Sequence, residues 1–417
     1  MKKLIIIGGG FAGIKLAQEV DASLFEVWMF DKNNYHQFQP LFYQVATSGL
    51  EPSSISFPLR KLFQNKNNFH IRNESVIEII PAENKIITES NSYAFDYLVI
   101  ASGCSTNFFG NAAIEQHAIP MKSVSEALYL RNFILSNFEK ALNVPIAERK
   151  NYLNVVIVGG GPTGVEVSGA LAEMRKYILP KDYPELDFSK MNIYLVEASA
   201  KTLGAMSEIS SQSSKKYLEK LGVNVLLSTQ VTNYDGNKVT FGDGNEIETK
   251  TLVWAAGIKG NVINGLDTSL ITRGNRIKVN RYSQLENNST IFAIGDISCM
   301  STNLYPNGHP QVATVANEQG KLLGKNLNSL VRGKKMKEYE YSNKGLMATV
   351  GRHLAVVDLP KFSFQGFFAW IFWMFLHLML ILGVKNKFIV FTNWMWKYFT
   401  FDQSLRLIIK PYNKSLK

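Results

Sequence analysis

Short apolar runs recur along the chain, and two of them lead straight into glycine loops. Leu4–Ile7 is followed by Gly8-Gly9-Gly10-Phe11-Ala12-Gly13, and Val155–Val158 by Gly159-Gly160-Gly161-Pro162-Thr163-Gly164-Val165-Glu166. Each fits strand, Gly-x-Gly-x-x-Gly, helix. One glycine makes the tight turn, one lets a pyrophosphate approach, and one lets helix and strand touch. The helix start then offers free N–H groups and positive dipole to phosphate.

Each loop is followed by a second apolar run that ends in an acid. Asp31 closes Val27–Phe30, 18 residues past Gly13, and Glu197 closes Ile193–Val196, 33 residues past Gly164. The longer gap holds Lys181–Glu185, read as an inserted loop. An acid at this place hydrogen-bonds an adenosine ribose and repels a 2′-phosphate. The repeat goes further. Tyr97–Ile100 ends in Ala101-Ser102-Gly103, and Leu252–Trp254 in Ala255-Ala256-Gly257. Two similar modules, each holding a dinucleotide, are the economical reading.

Between and after these runs the pattern predicts further elements. Asn34–Ala46 mixes polar and aromatic residues without a period and suits a segment wrapped over a ligand, with His36 either a core histidine or a cofactor neighbour. Val76–Ile80 and Lys85–Thr88 read as strands. Ser123-Val124-Ser125-Glu126 is a capping box opening a helix to about Leu142, and Pro145–Asn151 reads as a polar linker. Val223–Leu227, Lys238–Phe241 and Glu246–Ile247 read as a small antiparallel addition around Asp-Gly-Asn turns. Thr290–Ile294 is a buried-type strand ending in Gly295-Asp296, an acid suited to a sugar-alcohol hydroxyl. The helix begun by Pro310–Gly320 carries small residues, among them Ala313, Thr314 and Val315, where a flat ring can lie on backbone. The chain thus returns to finish its first module.

The expected fold is α/β, with two Rossmann-like dinucleotide-binding domains, the second inserted in the first, plus a C-terminal membrane-associating region. Its boundaries are 1–118 with 259–332 for the first domain, 119–258 for the second, and 333–417 for the C-terminal region. Within the second domain, Glu166 sits two residues past the last glycine. It is expected on the helix's first turn, where the dipole favours an anion, beside the nicotinamide end of a bound cofactor.

The tail changes the picture. Gly366–Val384 has no formal charge; Lys385-Asn386-Lys387 interrupts, and Phe388–Phe401 follows with Trp394 and Trp396. The whole chain carries +11, and from Lys361 on there are eight Lys/Arg against one acid, Asp402. Cations flanking an aromatic mass suit an anionic lipid surface, not nucleic acid. Nineteen residues is the threshold for a spanning helix, but the aromatic load favours two interfacial helices at about 364–401. The two cysteines, Cys104 and Cys299, have no C-x-x-C or metal spacing; both are expected buried, and no metal is expected. The N-terminus, Met1-Lys2-Lys3 before a strand, shows no signal peptide, which predicts a cytosol-facing protein.

Two facing nucleotide modules pair FAD, on Asp31, with NADH, on Glu197. Without a cysteine pair beside the flavin, the electrons need another acceptor, and the tail points to a quinone dissolved in lipid. Several segments then carry a family resemblance: the double glycine loop, Gln39–Ala46, Val253–Gly257, Ala293–Asp296, Lys344-Gly345 before Ala348–Arg352, and His377-Leu378 with Lys385–Lys387. Together they resemble the type II NADH:quinone oxidoreductases along nearly the whole chain. The resemblance implies non-covalent FAD, NADH as donor, and menaquinone or ubiquinone as acceptor. It also implies no proton pumping and a homodimer held peripherally on the cytoplasmic side of the cell inner membrane.

By matching position, Glu166 and Lys344 are the catalytic candidates. The expected cofactor contacts are Gly8, Gly10, Phe11, Ala12, Gly13, Asp31, Lys32, Gln44, Val76, Ala101, Ser102, Gly103, Gly295, Asp296, Ala313, Thr314 and Val315 in the first module. In the second they are Gly159, Gly161, Pro162, Thr163, Gly164, Glu166, Glu197, Ala256 and Gly257. The quinone candidates are Gln311, Thr314, Glu318 and Lys344. The family's quinone helix often reads Ala-Gln-x-Ala-x-Gln-Gln. Here Thr314 and Glu318 replace glutamines, with Gln311 one turn earlier. A sulfide:quinone oxidoreductase, which would need its cysteines, and a non-catalytic NADH-sensing flavoprotein remain the alternative readings.

Overall fold

The computed structural model describes residues 1–403 and 405–409. They divide into two compact units. The first is Met1–Gln37, Phe57–Ser105 and Ile258–Asn343; the second is Phe38–Ser56, Thr106–Gly257 and the chain from Lys344 on. The second glycine-loop module is therefore an insertion, as the returning strand implied. The segment 38–56 and residues 106–118 group with that module, not with the first as the sequence boundaries had it. The C-terminal region does not stand apart but joins the second unit.

The first unit is built on a five-stranded parallel sheet. Its order is Ile291–Ala293, Tyr97–Ile100, Lys2–Ile7, Phe25–Phe30, Phe69–Arg72. The strands read as unbroken apolar runs because both faces are covered; Leu4, Ile5 and Ile6 are fully buried. The helix Phe11–Glu19 packs on the helix Ala313–Val331. Glycines permit the approach: a Cβ on Gly320 would stand 2.4 Å from the Ala12 carbonyl oxygen. A three-stranded antiparallel sheet, Val76–Ile80, Lys85–Thr88 and Ser92–Ala94, completes the unit.

The second unit repeats the plan. Its parallel sheet runs Ile119–Pro120, Thr251–Trp254, Val155–Val158, Ile193–Val196, Val223–Leu226. Val223–Leu226 is thus the fifth parallel strand and not part of the antiparallel addition. The reason is the helix Glu208–Lys220 just before it, which makes it the return strand of a β-α-β crossover. The antiparallel addition is Val231–Tyr234, Lys238–Phe241 and Glu246–Glu248. The supposed linker is also structured: Ile146–Leu153 is a helix with Pro145 at its N-cap. The helix Val124–Leu142 opens as expected, with Ser123 Oγ accepting the Glu126 N–H at 3.1 Å.

After Lys344 come three antiparallel strands, Leu346–Gly351, Leu354–Asp358 and Ser363–Gln365. The tail then forms two helices, Phe367–Leu380 and Val384–Thr400, with Gly383 between them at φ +82°. That break divides the apolar run. Among the described residues no helix is long and apolar enough to cross a membrane.

Candidate active site

The glycine loops of the two units have the same geometry. Gly8 has φ +108° and Gly159 has φ +109°, backbone that L side chains rarely adopt. A Cβ on Gly8 would lie 2.3 Å from the Ala101 oxygen; one on Gly159 would lie 2.8 Å from that of Ala255. Gly13 and Gly164 each close the turn, their Cβ positions 1.9 Å from the Gly8 and Gly159 oxygens. Gly10 and Gly161, by contrast, face open space. That is the opening a pyrophosphate needs, at the start of the helices Phe11–Glu19 and Pro162–Tyr177.

The two acids take matching places. Asp31 Oδ2 accepts the Gly9 N–H at 2.6 Å and its Oδ1 the Asn33 N–H at 2.6 Å. Glu197 Oε2 accepts the Gly160 N–H at 2.5 Å and its Oε1 the Ser199 N–H at 2.7 Å. Burial raises the Asp31 carboxyl above its ordinary value, with the two N–H groups pulling the other way. His36 is buried under this loop, its Nδ1 3.2 Å from the Gly9 oxygen and its ring edge-on to Phe11. Burial lowers its pKa to about 4, so it is neutral packing at neutral pH.

The rest of the first cradle lies in the same unit. Ser102 and Asn261 exchange hydrogen bonds at 2.7 and 3.0 Å and fix the turn before Gly103. Gly295, at φ +74°, sits against Ala12 and Ala316, and Gln311 Nε2 donates to the Asp296 oxygen at 2.8 Å. Gln319 Oε1 accepts the Gly295 N–H at 2.7 Å, while its Nε2 is buried with no partner among the described residues. An open glycine turn, a ribose-competent acid and an unspent buried amide donor fit FAD. Ala313, Thr314 and Val315 begin the nearby helix, Lys32 is exposed and Val76 half-buried. Cys299 is buried, but Cys104 is only half-buried, which corrects the expectation that both are buried; the Cys104 thiol donates to Asp296 Oδ2 at 3.0 Å.

A cleft of about 580 Å³, counting its open mouth, lies in the second unit. Glu166, Ala170 and Glu173 wall it from the helix Pro162–Tyr177, Thr349, Gly351 and Arg352 from the strand Leu346–Gly351 and its turn, and Trp370, Trp373, Trp394 and Lys397 from the tail. Helix and strand touch because Gly169 has no side chain: a Cβ there would stand 1.6 Å from the Val350 oxygen. Glu166 is the fifth residue of its helix, one past the first turn. Its environment is not one that favours an anion. Burial pushes its carboxyl well above the usual range, countered only by the Thr349 N–H at 3.5 Å.

Tyr43, beside it, is pushed up as well, by burial first and then by the Glu166 charge. Gln44, expected as a cofactor contact, donates to the Tyr43 hydroxyl at 2.8 Å and accepts the Trp394 N–H at 2.7 Å. Glu173 pairs with Lys397 at 3.5 Å and accepts the Arg352 N–H. Arg352 stacks on Tyr398 and Phe401, and its Nε and Nη1 are buried without partners among the described residues.

Of the sequence candidates, Glu166 and Gln44 meet in this cleft. Lys344 is exposed, five residues ahead of Thr349, and does not line it. Thr314 and Glu318 belong to the first unit, hydrogen-bonded to the hydroxyls of Tyr341 (3.3 Å) and Tyr339 (3.1 Å). Sequence reasoning gave no role to Tyr43, Glu173, Arg352 or Lys397. Glu173 had a signal, since it lies seven residues past Glu166 on one helix and so on the same face.

Comparison with known proteins decides the family. Residues 2–320 match the pyridine nucleotide-disulphide oxidoreductase family, and residues 343–401 the NDH2 C-terminal domain. The chain is 31% identical to the type II NADH:quinone oxidoreductase Ndh of Mycobacterium tuberculosis, over 94% of this chain and 87% of that one. It is 30% identical to the Haemophilus influenzae enzyme of the same name, over 87% and 88%. The chain belongs to the type II NADH:quinone oxidoreductases.

Solved structures agree on the fold. NDH2 of Plasmodium falciparum, determined in complex with NADH, superposes with a TM-score of 0.91 at 21% identity, covering 98% of this chain and all of that one. The sulfide:quinone oxidoreductase of Aquifex aeolicus shares the scaffold more loosely, at 0.75 and 19% identity over 96% of each. As a type II NADH:quinone oxidoreductase the protein is a membrane-associated flavoenzyme; it takes electrons from NADH through FAD and delivers them to a quinone.

Proposed function

We propose that the quinone head group enters the cleft beside Glu166 and that the two tail helices rest on the membrane surface. The observation that carries this is the two-sidedness of those helices. Ala369, Trp373, Val390 and Trp394 are buried inward, and Trp373 and Trp394 line the cleft. Phe368, Phe375, Phe388 and Trp396 stand 60–77% exposed. So much exposed aromatic surface is not tolerated in water without a partner. With Lys385 and Lys387 in the first turn of the second tail helix, an anionic lipid interface fits it. A carrier travelling in the lipid then meets an opening walled by the same helices.

Gly8, Gly10, Gly13, Asp31, Gly295 and Asp296 would hold FAD, without a covalent bond, and Gly159, Gly161, Gly164 and Glu197 would hold NADH. Bound flavin supplies the two-electron carrier. The chain's own groups orient the partners and manage protons. Burial pushes the Glu166 carboxyl well above its usual range and so favours the form that carries a proton at the cleft wall. The unspent N–H groups of Arg352 would donate to a quinone carbonyl oxygen, and the tryptophans would exclude water. Gln311, Thr314 and Glu318 of the first unit are the alternative head-group candidates. The finer setting of the same proposal is a homodimer lying peripherally on the cytoplasmic side of the inner membrane, using menaquinone or ubiquinone, without proton pumping.

Stopped-flow spectroscopy separates these readings. Purified enzyme is mixed with NADH, flavin bleaching is followed, and quinones of differing head group and tail are then added. Glu166→Gln and Arg352→Ala are expected to slow reoxidation by quinone at least tenfold while keeping the flavin bound. If Thr314→Ala or Glu318→Ala slows it instead and the cleft variants do not, the cleft assignment is wrong.

A further inference from the structure

The loop Asn107–Asn111 in the second unit holds an unusual phenylalanine. Phe109 is 68% exposed and has φ +54°, left-handed backbone that a bulky residue seldom adopts. The surroundings impose it. The Phe109 N–H donates to Asn107 Oδ1 at 2.9 Å, the Asn107 oxygen accepts the Trp254 Nε1–H at 2.9 Å, and the Asn107 N–H donates to the Gly257 oxygen at 3.3 Å. On the other side Asn111 caps the next helix by accepting the Ile114 N–H at 3.0 Å. An exposed phenylalanine is ordinary by itself; one fixed in strained backbone from both sides points to a use.

The ring also has a made place. It lies on Gly257, where a Cβ would stand 2.4 Å from the ring's Cζ, and it stands edge to face with Trp254, the ring centroids 6.5 Å apart. Gly257 ends the run that crosses the second glycine turn at Ala255 and Ala256, 2.8–2.9 Å from a Cβ on Gly159. That crossing lies between Val155–Val158 and Thr251–Trp254. There the strand order reverses, and an open α/β sheet takes its ligand off the carboxyl ends of such strands. The exposed ring face thus stands at the rim of the dinucleotide cleft, on the side of Ala256 and Gly257 and away from Glu197.

We propose that Phe109 is a specificity-determining shelf for the nicotinamide half of NADH, its free face stacking on the planar ring or its carboxamide. Gly257 is then a glycine so that the shelf can lie flat. The proposal rests on the reading of the second glycine loop as the NADH site. Because the loop is already fixed, the contact adds affinity without an ordering cost.

The test uses the full-length, FAD-loaded enzyme. Phe109→Ala is expected to raise the NADH concentration for half-maximal flavin bleaching roughly three- to tenfold, the range for one aromatic contact. The quinone KM, flavin content and melting temperature should not move, and Phe109→Tyr should restore the NADH response. ADP-ribose, which lacks nicotinamide, provides the control. Its inhibition constant should be the same in wild type and Phe109→Ala. An unchanged NADH response, or an equal loss for NADH and ADP-ribose, overturns the proposal. Glu197→Ala reports on the underlying assignment: if it leaves NADH and ADP-ribose binding intact, the second loop is not the NADH site and the parent reading fails.

Discussion

Trp394 donates its indole N–H to Gln44 Oε1 at 2.7 Å, joining the second tail helix to the short helix Phe42–Ala46. Gln44 spends its amide on the Tyr43 hydroxyl, so one side chain couples the tail to a residue beside Glu166. Trp394→Phe keeps most of the packing and removes the bond, leaving a half-buried acceptor unpaired. The expected cost is about 1–3 kcal/mol of local stability. The quinone KM should rise while NADH-driven flavin bleaching stays at its wild-type rate. Steady-state kinetics beside single-turnover reduction reads both; an equal effect on the two half-reactions would remove the tail from the quinone side.

Gly169 offers a sharper structural test. The helix Pro162–Tyr177 and the strand Leu346–Gly351 touch backbone to backbone there, with no room for a methyl group. Gly169→Ala would gain about 1 kcal/mol in helix propensity but must push helix and strand apart. Overpacking costs about 1–3 kcal/mol and more where backbone cannot move. The net expectation is a lower melting temperature and weaker quinone turnover, since Glu166 and Thr349 sit on the two separating elements. Gly204, with nothing within 4 Å of its Cβ position, serves as the neutral control.

The duplicated plan was legible because its signals are local. A glycine that must turn at positive φ, an apolar run buried on both faces and an acid ending the next strand each leave a mark within about ten residues. Gly8 and Gly159 differ by one degree in φ, as two copies of one motif should. What escaped was set by distant partners. Val223–Leu226 reads the same whether its neighbour is parallel or antiparallel, and only pairing with Ile193–Val196 decides. Glu166 looked like a helix-start anion, yet burial raises its carboxyl and only the N–H of Thr349, 183 residues along the chain, counters it. Thr314 and Glu318 stood at the family's glutamine positions, but no sequence rule foretold that Tyr341 and Tyr339 would engage them.

The buried histidines set an acid limit on stability. His36 and His377 are both held to about 4, first by burial and against one backbone hydrogen bond each. In the unfolded chain a histidine titrates near ~6.5, so between these values the unfolded state binds more protons and stability falls as pH falls. The contribution is complete above about pH 6.5 and is lost progressively toward pH 4, on the order of 3 kcal/mol for each ring. His377 also stacks on Trp373 at 4.0 Å and directs Nδ1 to the Trp373 oxygen at 2.7 Å. Chemical denaturation of the wild type from pH 7.5 to 4.5 should show this slope, and His377→Gln should flatten it. An unchanged slope would mean that His377 titrates alike in the folded and unfolded chain.

Donor choice follows from Glu197. Its carboxylate ends the strand Ile193–Val196 and is tied to the Gly160 and Ser199 N–H groups, so it cannot swing away from a 2′-phosphate. At about 4 Å and an effective dielectric near 20, each unit of like charge costs about 4 kcal/mol. Screening and rearrangement leave an expected preference for NADH on the order of a hundredfold or more in kcat/KM. Removing the carboxylate with Glu197→Ala should lower kcat/KM for NADH, by loss of the ribose hydrogen bonds, and raise it for NADPH. The two effects should narrow the ratio at least tenfold, about 1.4 kcal/mol. Equal rates with both donors in the wild type would show that the 2′ position does not lie against Glu197, and a mutant ratio unchanged from wild type would assign selectivity to another group.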